Sequence, residues 1–156
     1  MSVSPMTILL VEDDPGHARL IEKNLRRAGL DGPILHFADG AGALAYLFGA
    51  KGDDVRGGGA AGGDVGGRRG SALLLLDLNL PDMSGLDVLA RVKADEHLRR
   101  LPVIVLTTTD DKGEIERCYE LGCNVYVTKP VEYEAFADAI RRLGLFVSVM
   151  QVPEGT

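Results

Sequence analysis

An aspartate, Asp77, follows directly on the unbroken apolar run Ala72–Leu76, and three more acids, Glu12, Asp13 and Asp14, follow directly on TILLV at Thr7–Val11, which reads as a buried strand. A threonine, Thr107, closes the run VIVL at 103–106, and a lysine, Lys129, closes VYVT at 125–128. An acid at the end of a buried strand is costly unless something offsets its desolvation. Carboxylates gathered together repel, and each is driven toward its protonated form. A hard divalent cation relieves this, and Mg²⁺ is usually held by one or two carboxylates with water and phosphate oxygens. A solvated turn accounts for one of the three acids at 12–14 and a helix cap for a second, but three in a row off a buried strand favour a cation. With a cation at one oxygen, Asp77 keeps the other free as a nucleophile, and an aspartate that attacks phosphorus forms an aspartyl-phosphate. The transferred group spreads its charge over three outer oxygens. Mg²⁺ can neutralise one, Lys129 a second, and the Thr107 hydroxyl or a backbone N–H the third.

For these residues to meet, the chain between them must alternate strands and helices. Short apolar runs of this kind suit strands buried on both faces, as in a parallel sheet. Pro15 fits the first position of a helix capped by Asp14, with an apolar face of Leu20, Ile21, Leu25 and Ala28 and a stop at Gly29. ILHFA at 34–38 reads as a second strand, in which His36 is expected to be packed or at an edge rather than catalytic. Asp39-Gly40 turns into a helix holding Leu44, Leu47 and Phe48. Ser84, with Asp87 three residues on, starts a helix to about Ala94 that packs Leu86, Leu89, Ala90 and the stem of Lys93. A polar link over 95–101 follows. Asp110 or Asp111 caps the next helix, which Gly122 stops. A last helix begins near Glu132 and carries Phe136, Ala139, Ile140 and Leu143. Right-handed crossovers between five strands give a doubly wound sheet whose carboxyl ends share one edge, where such sheets place their ligands.

Composition narrows the field. The length fits one domain over 1–156, and a net charge of −6 argues against a nucleic-acid or anionic-membrane surface. No apolar run approaches a membrane span, MSVSPMT lacks the regions of a secretion signal, and Cys118 and Cys123 fit no metal spacing, with Cys118 expected to pack in a helix. A reduced, cytoplasmic setting is the expectation. Residues 49–70, with GGGAAGG and VGGRRG, carry too little apolar bulk to order themselves and read as a flexible insert between the second helix and the third strand. Arg68 and Arg69 there read as solvated. A phosphate-cradling glycine loop is excluded, because the Gly-Lys-Ser/Thr signature is missing.

VEDDP (11–15), LLLLDLNLPDMSG (73–85), VIVLTTT (103–109) and VYVTKP (125–130) resemble the four signature blocks of response-regulator receiver domains of two-component signalling. The resemblance spans nearly the whole chain apart from the insert and the last dozen residues. It implies a flavodoxin-like (CheY-like) fold of strand order 2-1-3-4-5 with five helices and Asp77 as phosphoacceptor. It further implies Mg²⁺ held by Glu12, Asp13, Asp77 and the backbone carbonyl of Asn79, with Lys129 pairing with the phosphate. Thr107 and Tyr126 would be the switch pair, and Asn79 and Thr109 would tune hydrolysis. More narrowly, LDLNLP, LTTT and VTKP resemble the small regulators paired with bacterial phytochrome kinases, which implies a sensor histidine kinase as phosphodonor. Glu12 stands where many relatives carry Asp, and the long insert departs from most receivers.

Too few residues follow Lys129 for a DNA-binding domain, so output is expected through a downstream protein. Leu143, Phe146, Val147 and Met150 keep helical spacing in the extension at 144–156. They either fold back or form an apolar strip that pairs two subunits beside the face of the fourth helix, fifth strand and fifth helix. Three rivals stand beside the phosphoacceptor. An Mg²⁺-dependent phosphohydrolase would need a second acid two residues past the nucleophile, where Asn79 stands. A receiver-shaped scaffold that is never phosphorylated would not need Glu12, Asp13, Asp77, Thr107 and Lys129 together. A flavin carrier would meet acids where its phosphate should bind.

Overall fold

The computed structural model describes residues 6–51 and 72–150. Strands β1 (Thr7–Val11), β2 (Ile34–Phe37), β3 (Ala72–Leu76), β4 (Val103–Thr107) and β5 (Val125–Thr128) alternate with helices α1 (Pro15–Arg27), α2 (Gly40–Lys51), α3 (Gly85–Ala94), α4 (Lys112–Leu121) and α5 (Tyr133–Met150). All strand pairs are parallel and the order is β2-β1-β3-β4-β5. This is the doubly wound arrangement expected from the sequence.

The unbroken apolar runs are explained by the two-residue period of a strand. Leu9, Val11, Leu74, Leu76, Val103 and Val105 point to one face and pack with Leu47, Val88, Leu89 and Val92. Ile8, Leu10, Leu73, Leu75, Ile104 and Leu106 point to the other and pack with Ile21, Leu25, Phe136, Ile140 and Leu143. Both faces are covered, so the polar residues of the central strands are confined to strand ends, at Thr7 and Thr107.

Local signals set the ends of the helices. Asp14 caps α1 by accepting from the N–H groups of Gly16 (2.8 Å) and His17 (3.1 Å), with Pro15 in the first turn. Ser84 accepts from Leu86 N–H and caps α3, and Asp111 rather than Asp110 caps α4 through Glu114 N–H. Gly122 ends α4 in the left-handed region at φ 111°.

Three boundaries and packings differ from expectation, and at the end of α5 the two outcomes left open each appear in part. Helix α2 continues through residues 49–51, so the segment read as an insert from Gly49 starts inside a helix; the remainder of it, with Arg68 and Arg69, lies outside the described residues. In α3 the buried side chains are those of Val88, Leu89 and Val92, with Leu86 and Ala90 only partly covered. That helix packs against α2 and α4 as well as the sheet, which turns the valine stripe inward. The link at 95–101 is not wholly polar in role, because Leu98 and Leu101 enter the core. Toward the end of α5, Leu143 and Val147 fold back onto α1, whereas Leu145 and Phe146 stay exposed. Gly144 permits this close crossing, since a Cβ there would lie 2.6 Å from the Ala28 Cβ.

Candidate functional site

The register decides which side chains meet. Val11 pairs with Leu76, and the N–H of Asp77 donates to the Val11 carbonyl (3.0 Å), so Glu12 and Asp77 leave adjacent strands side by side. Thr107 pairs with Thr128, and Lys129 N–H donates to the Thr107 carbonyl (2.7 Å). Residues from β1, β3, β4 and β5 thus converge on the carboxyl edge, as the alternating pattern requires.

Lys129 lies at the centre of the charges. Its ammonium donates to Glu12 Oε1 at 2.6 Å and to Asp77 Oδ2 at 3.1 Å. All three groups are nearly sealed from solvent, with Glu12 1%, Asp77 5% and Lys129 4% exposed. Burial pushes the Glu12 carboxyl above the usual glutamate range, while Lys129 pulls against that shift. Asp13 differs from its neighbours in being exposed. Ligand atoms of Glu12, Asp13 and Asp77 lie within 4.8 Å of one another. Two buried carboxylates with one at the solvent boundary suit a hard cation that keeps part of its water shell. Asp14, the third acid of the run, is committed to the α1 cap, and its carboxyl is held below the usual range, chiefly by the His17 backbone N–H.

The loop after β3 is fixed around Asp77. Asn79 N–H donates to Asp77 Oδ1 (3.2 Å), and its side-chain amide donates to Thr107 Oγ1 (3.3 Å). Gly85 is required here, because a Cβ would overlap the Asp77 carbonyl and come within 2.6 Å of Leu78 Cα. Asp82 accepts from the N–H groups of Gly40 (2.9 Å) and Ala41 (2.8 Å) at the start of α2, which lowers its own pKa. An open, polar cleft of about 510 Å³ borders the cluster and is lined in part by Asp13, Asn79, Asp82 and Glu114.

Thr107 is completely buried. Tyr126 donates its hydroxyl to the Thr109 carbonyl at 2.5 Å and its backbone N–H to the Tyr119 hydroxyl at 3.0 Å. Burial raises the Tyr126 phenol to about 12. The two residues expected to form a switch therefore occupy adjacent strands, paired in the ladder through Val105–Tyr126 and Thr107–Thr128.

Two residues at the site, His17 and Asp82, were not singled out in the sequence. His17 Nδ1 lies 3.1 Å from Lys129 Nζ, and its ring meets Phe136 edge-on at 5.1 Å. The only local signal was its place in the first turn after the acid run. The reach of Asp82 to α2 spans 42 residues, which no local pattern encodes. His36 is exposed on edge strand β2, as expected, and its Nε2 bonds the Glu12 carbonyl at 2.7 Å.

Comparison with known proteins bears on the family and the fold. The profile of the response regulator receiver domain matches residues 59–141, a span that includes Asp77, Thr107, Tyr126 and Lys129. The crystal structure of a response regulator receiver domain from Rhodospirillum rubrum is similar at 61% identity over 95% of this chain and 97% of that one, with a TM-score of 0.82. The response regulator Rcp1 of Synechocystis sp. is 36% identical over 80% of this chain and 77% of its own length. The Mn²⁺-bound structure of Rcp1 superposes over 97% of this chain and 100% of that one with a TM-score of 0.78. The phosphorylated cyanobacterial phytochrome response regulator RcpA is 31% identical over 94% of this chain and 96% of that one, with a TM-score of 0.77.

Proposed function

The chain belongs to the response-regulator receiver family, and on that premise we propose that Asp77 accepts a phosphoryl group from a sensor histidine kinase, with Mg²⁺ held by Glu12, Asp13, Asp77 and the Asn79 carbonyl. The observation that carries this reading is the Glu12–Asp13–Asp77 cluster with the Lys129 ammonium 3.1 Å from Asp77. One carboxylate oxygen of Asp77 faces Lys129 and the other meets the Asn79 N–H, so the side chain is oriented before any reaction. Orientation of this kind lowers the entropic part of the barrier.

The bound cation supplies charge neutralisation for the carboxylates and for one phosphoryl oxygen. The remaining work falls to the chain. An Asp77 oxygen forms a bond to phosphorus as the bond from phosphorus to the phosphohistidine nitrogen breaks. Lys129 gives up its hold on Asp77 and pairs with the transferred group. The Thr107 hydroxyl, now accepting from Asn79, turns to donate to a phosphoryl oxygen. The space it leaves lies beside Tyr126, so phosphorylation biases the Thr107–Tyr126 pair and the face of α4, β5 and α5. Asn79 and Thr109 govern how readily water reaches the acyl-phosphate.

RcpA and several other similar structures are described as phytochrome or bacteriophytochrome regulators. We extend this to the chain itself: its kinase is a bacteriophytochrome, and a downstream protein reads the α4–β5–α5 face. Leu145 (55% exposed) and Phe146 (49%) favour a homodimer formed through α5.

Incubation with acetyl phosphate and Mg²⁺, followed by intact-mass measurement, tests the reading. A single stable adduct that disappears in Asp77→Asn supports it. Rapid multiple-turnover release of phosphate would favour a phosphohydrolase, and absence of any adduct would favour a scaffold.

A further inference from the structure

The Lys129 ammonium has three protons to donate and no lone pair. Two go to the carboxylates of Glu12 and Asp77, and its third partner is His17 Nδ1 at 3.1 Å. The other groups facing Nδ1 are Glu12 Oε2 at 3.9 Å and Asp14 Oδ2 at 4.0 Å, both beyond hydrogen-bond range. A hydrogen on Nδ1 would point at the ammonium, so this 3.1 Å contact is a hydrogen bond only with Nδ1 as the acceptor. Two further contacts hold the ring: its backbone N–H bonds Asp14, and its edge packs on Phe136.

We infer that His17 is a positioning residue for Lys129, its Nδ1 accepting one ammonium hydrogen throughout phosphoryl transfer. The inference rests on the phosphoacceptor reading and adds a residue to it. Glu12 and Asp77 are the acceptors that a cation and a phosphoryl group compete for. His17 is the neutral acceptor outside that competition. It holds Nζ in place while the carboxylates are engaged and leaves the other hydrogens free for a phosphoryl oxygen. Without it, the ammonium would follow whichever carboxylate remained free.

The test uses the full chain. Imidazole ¹⁵N spectra report which ring nitrogen carries the proton, with and without Mg²⁺ and without any need for phosphorylation. The expected result is an unprotonated Nδ1 whose shift moves in Lys129→Met; a protonated Nδ1 in the unmodified chain overturns the inference. In the kinetic arm, His17→Phe keeps a ring against Phe136 but removes the acceptor, whereas His17→Asn keeps an acceptor near the Nδ1 position. Formation of the Asp77 adduct from acetyl phosphate is expected to slow on the order of tenfold in His17→Phe, the size of one hydrogen bond to a charged group. His17→Asn should recover most of that loss, and His17→Phe should cost nothing more in a Lys129→Met background. Equal rates for His17→Phe and the unmodified chain, or equal losses in both backgrounds, would sink it. If the unmodified chain forms no adduct, the phosphoacceptor reading fails instead, and the nitrogen spectra alone then decide for or against His17. Should His17→Phe not fold, His17→Asn and those spectra still decide.

Discussion

Lys129 Nζ sits 2.6 Å from Glu12 Oε1, and each of these side chains is only 2% exposed. The pair joins the first strand's exit to the last strand's exit across 117 residues. A buried ion pair gains little over a well-packed apolar pair, but removing one partner leaves an uncompensated charge. Asp77, 3.1 Å from the same ammonium, adds a second carboxylate to that account.

Lys129→Met is therefore expected to destabilise the metal-free protein by about 3 kcal/mol at pH 7. Without the ammonium that opposes its burial, Glu12 holds a proton in the folded state that it releases on unfolding, so stability falls as pH rises above the ordinary carboxylate range. The deficit against the unmodified chain should shrink at about pH 5 and in Lys129→Met with Glu12→Gln. Urea unfolding at the two pH values checks this.

Asp13 is the exposed member of the acidic cluster and has no part in the Lys129 network. Asp13→Asn should leave metal-free stability within about 0.5 kcal/mol of the parent. The same change should weaken Mg²⁺ binding at least about tenfold. Thermal unfolding over a Mg²⁺ series reads both, since a ligand bound only to the folded state raises Tm with its concentration.

Burial raises the Cys118 thiol to about 11 and the Tyr126 phenol to about 12. Both folded values exceed the unfolded ones, so between the two the folded chain holds protons that the unfolded chain has lost. Stability is intact below the ordinary thiol value of 9.0 and declines as pH climbs through 11 and 12. In Tyr126→Phe the decline above 10.0, the ordinary phenol value, should be shallower. At pH 7 that variant should lose about 1 kcal/mol with the bond to the Thr109 carbonyl. Chemical unfolding at pH 7 and about pH 11 separates the two effects.

Gly144→Ala should force α5 away from α1, because the new Cβ would fall 2.6 Å from that of Ala28. Overpacking of this kind costs about 1–3 kcal/mol. Ala28→Gly in the same chain should restore part of it, and a comparison of the unfolding midpoints of the single and double variants decides the matter.

Much of this protein was legible in one dimension. A strand buried on both faces needs an unbroken apolar run, so Thr7–Val11, Ala72–Leu76 and the run at 103–106 announced a parallel sheet, and each residue just past such a run had to lie at its carboxyl edge. Helix caps are local as well, which is why Asp14, Ser84 and Gly122 could be read directly. Only the folded chain decided how the charges at that edge are shared. Strand register set Glu12 beside Asp77, and the packing of α1 on α5 brought His17 to Lys129 over Phe136. Likewise, Val88 and Val92 turned inward because α3 meets two neighbouring helices, a demand that helical periodicity alone does not record. Sequence fixes which face of an element is apolar. Which polar atoms then come within 3 Å or so depends on how elements distant in the chain are docked.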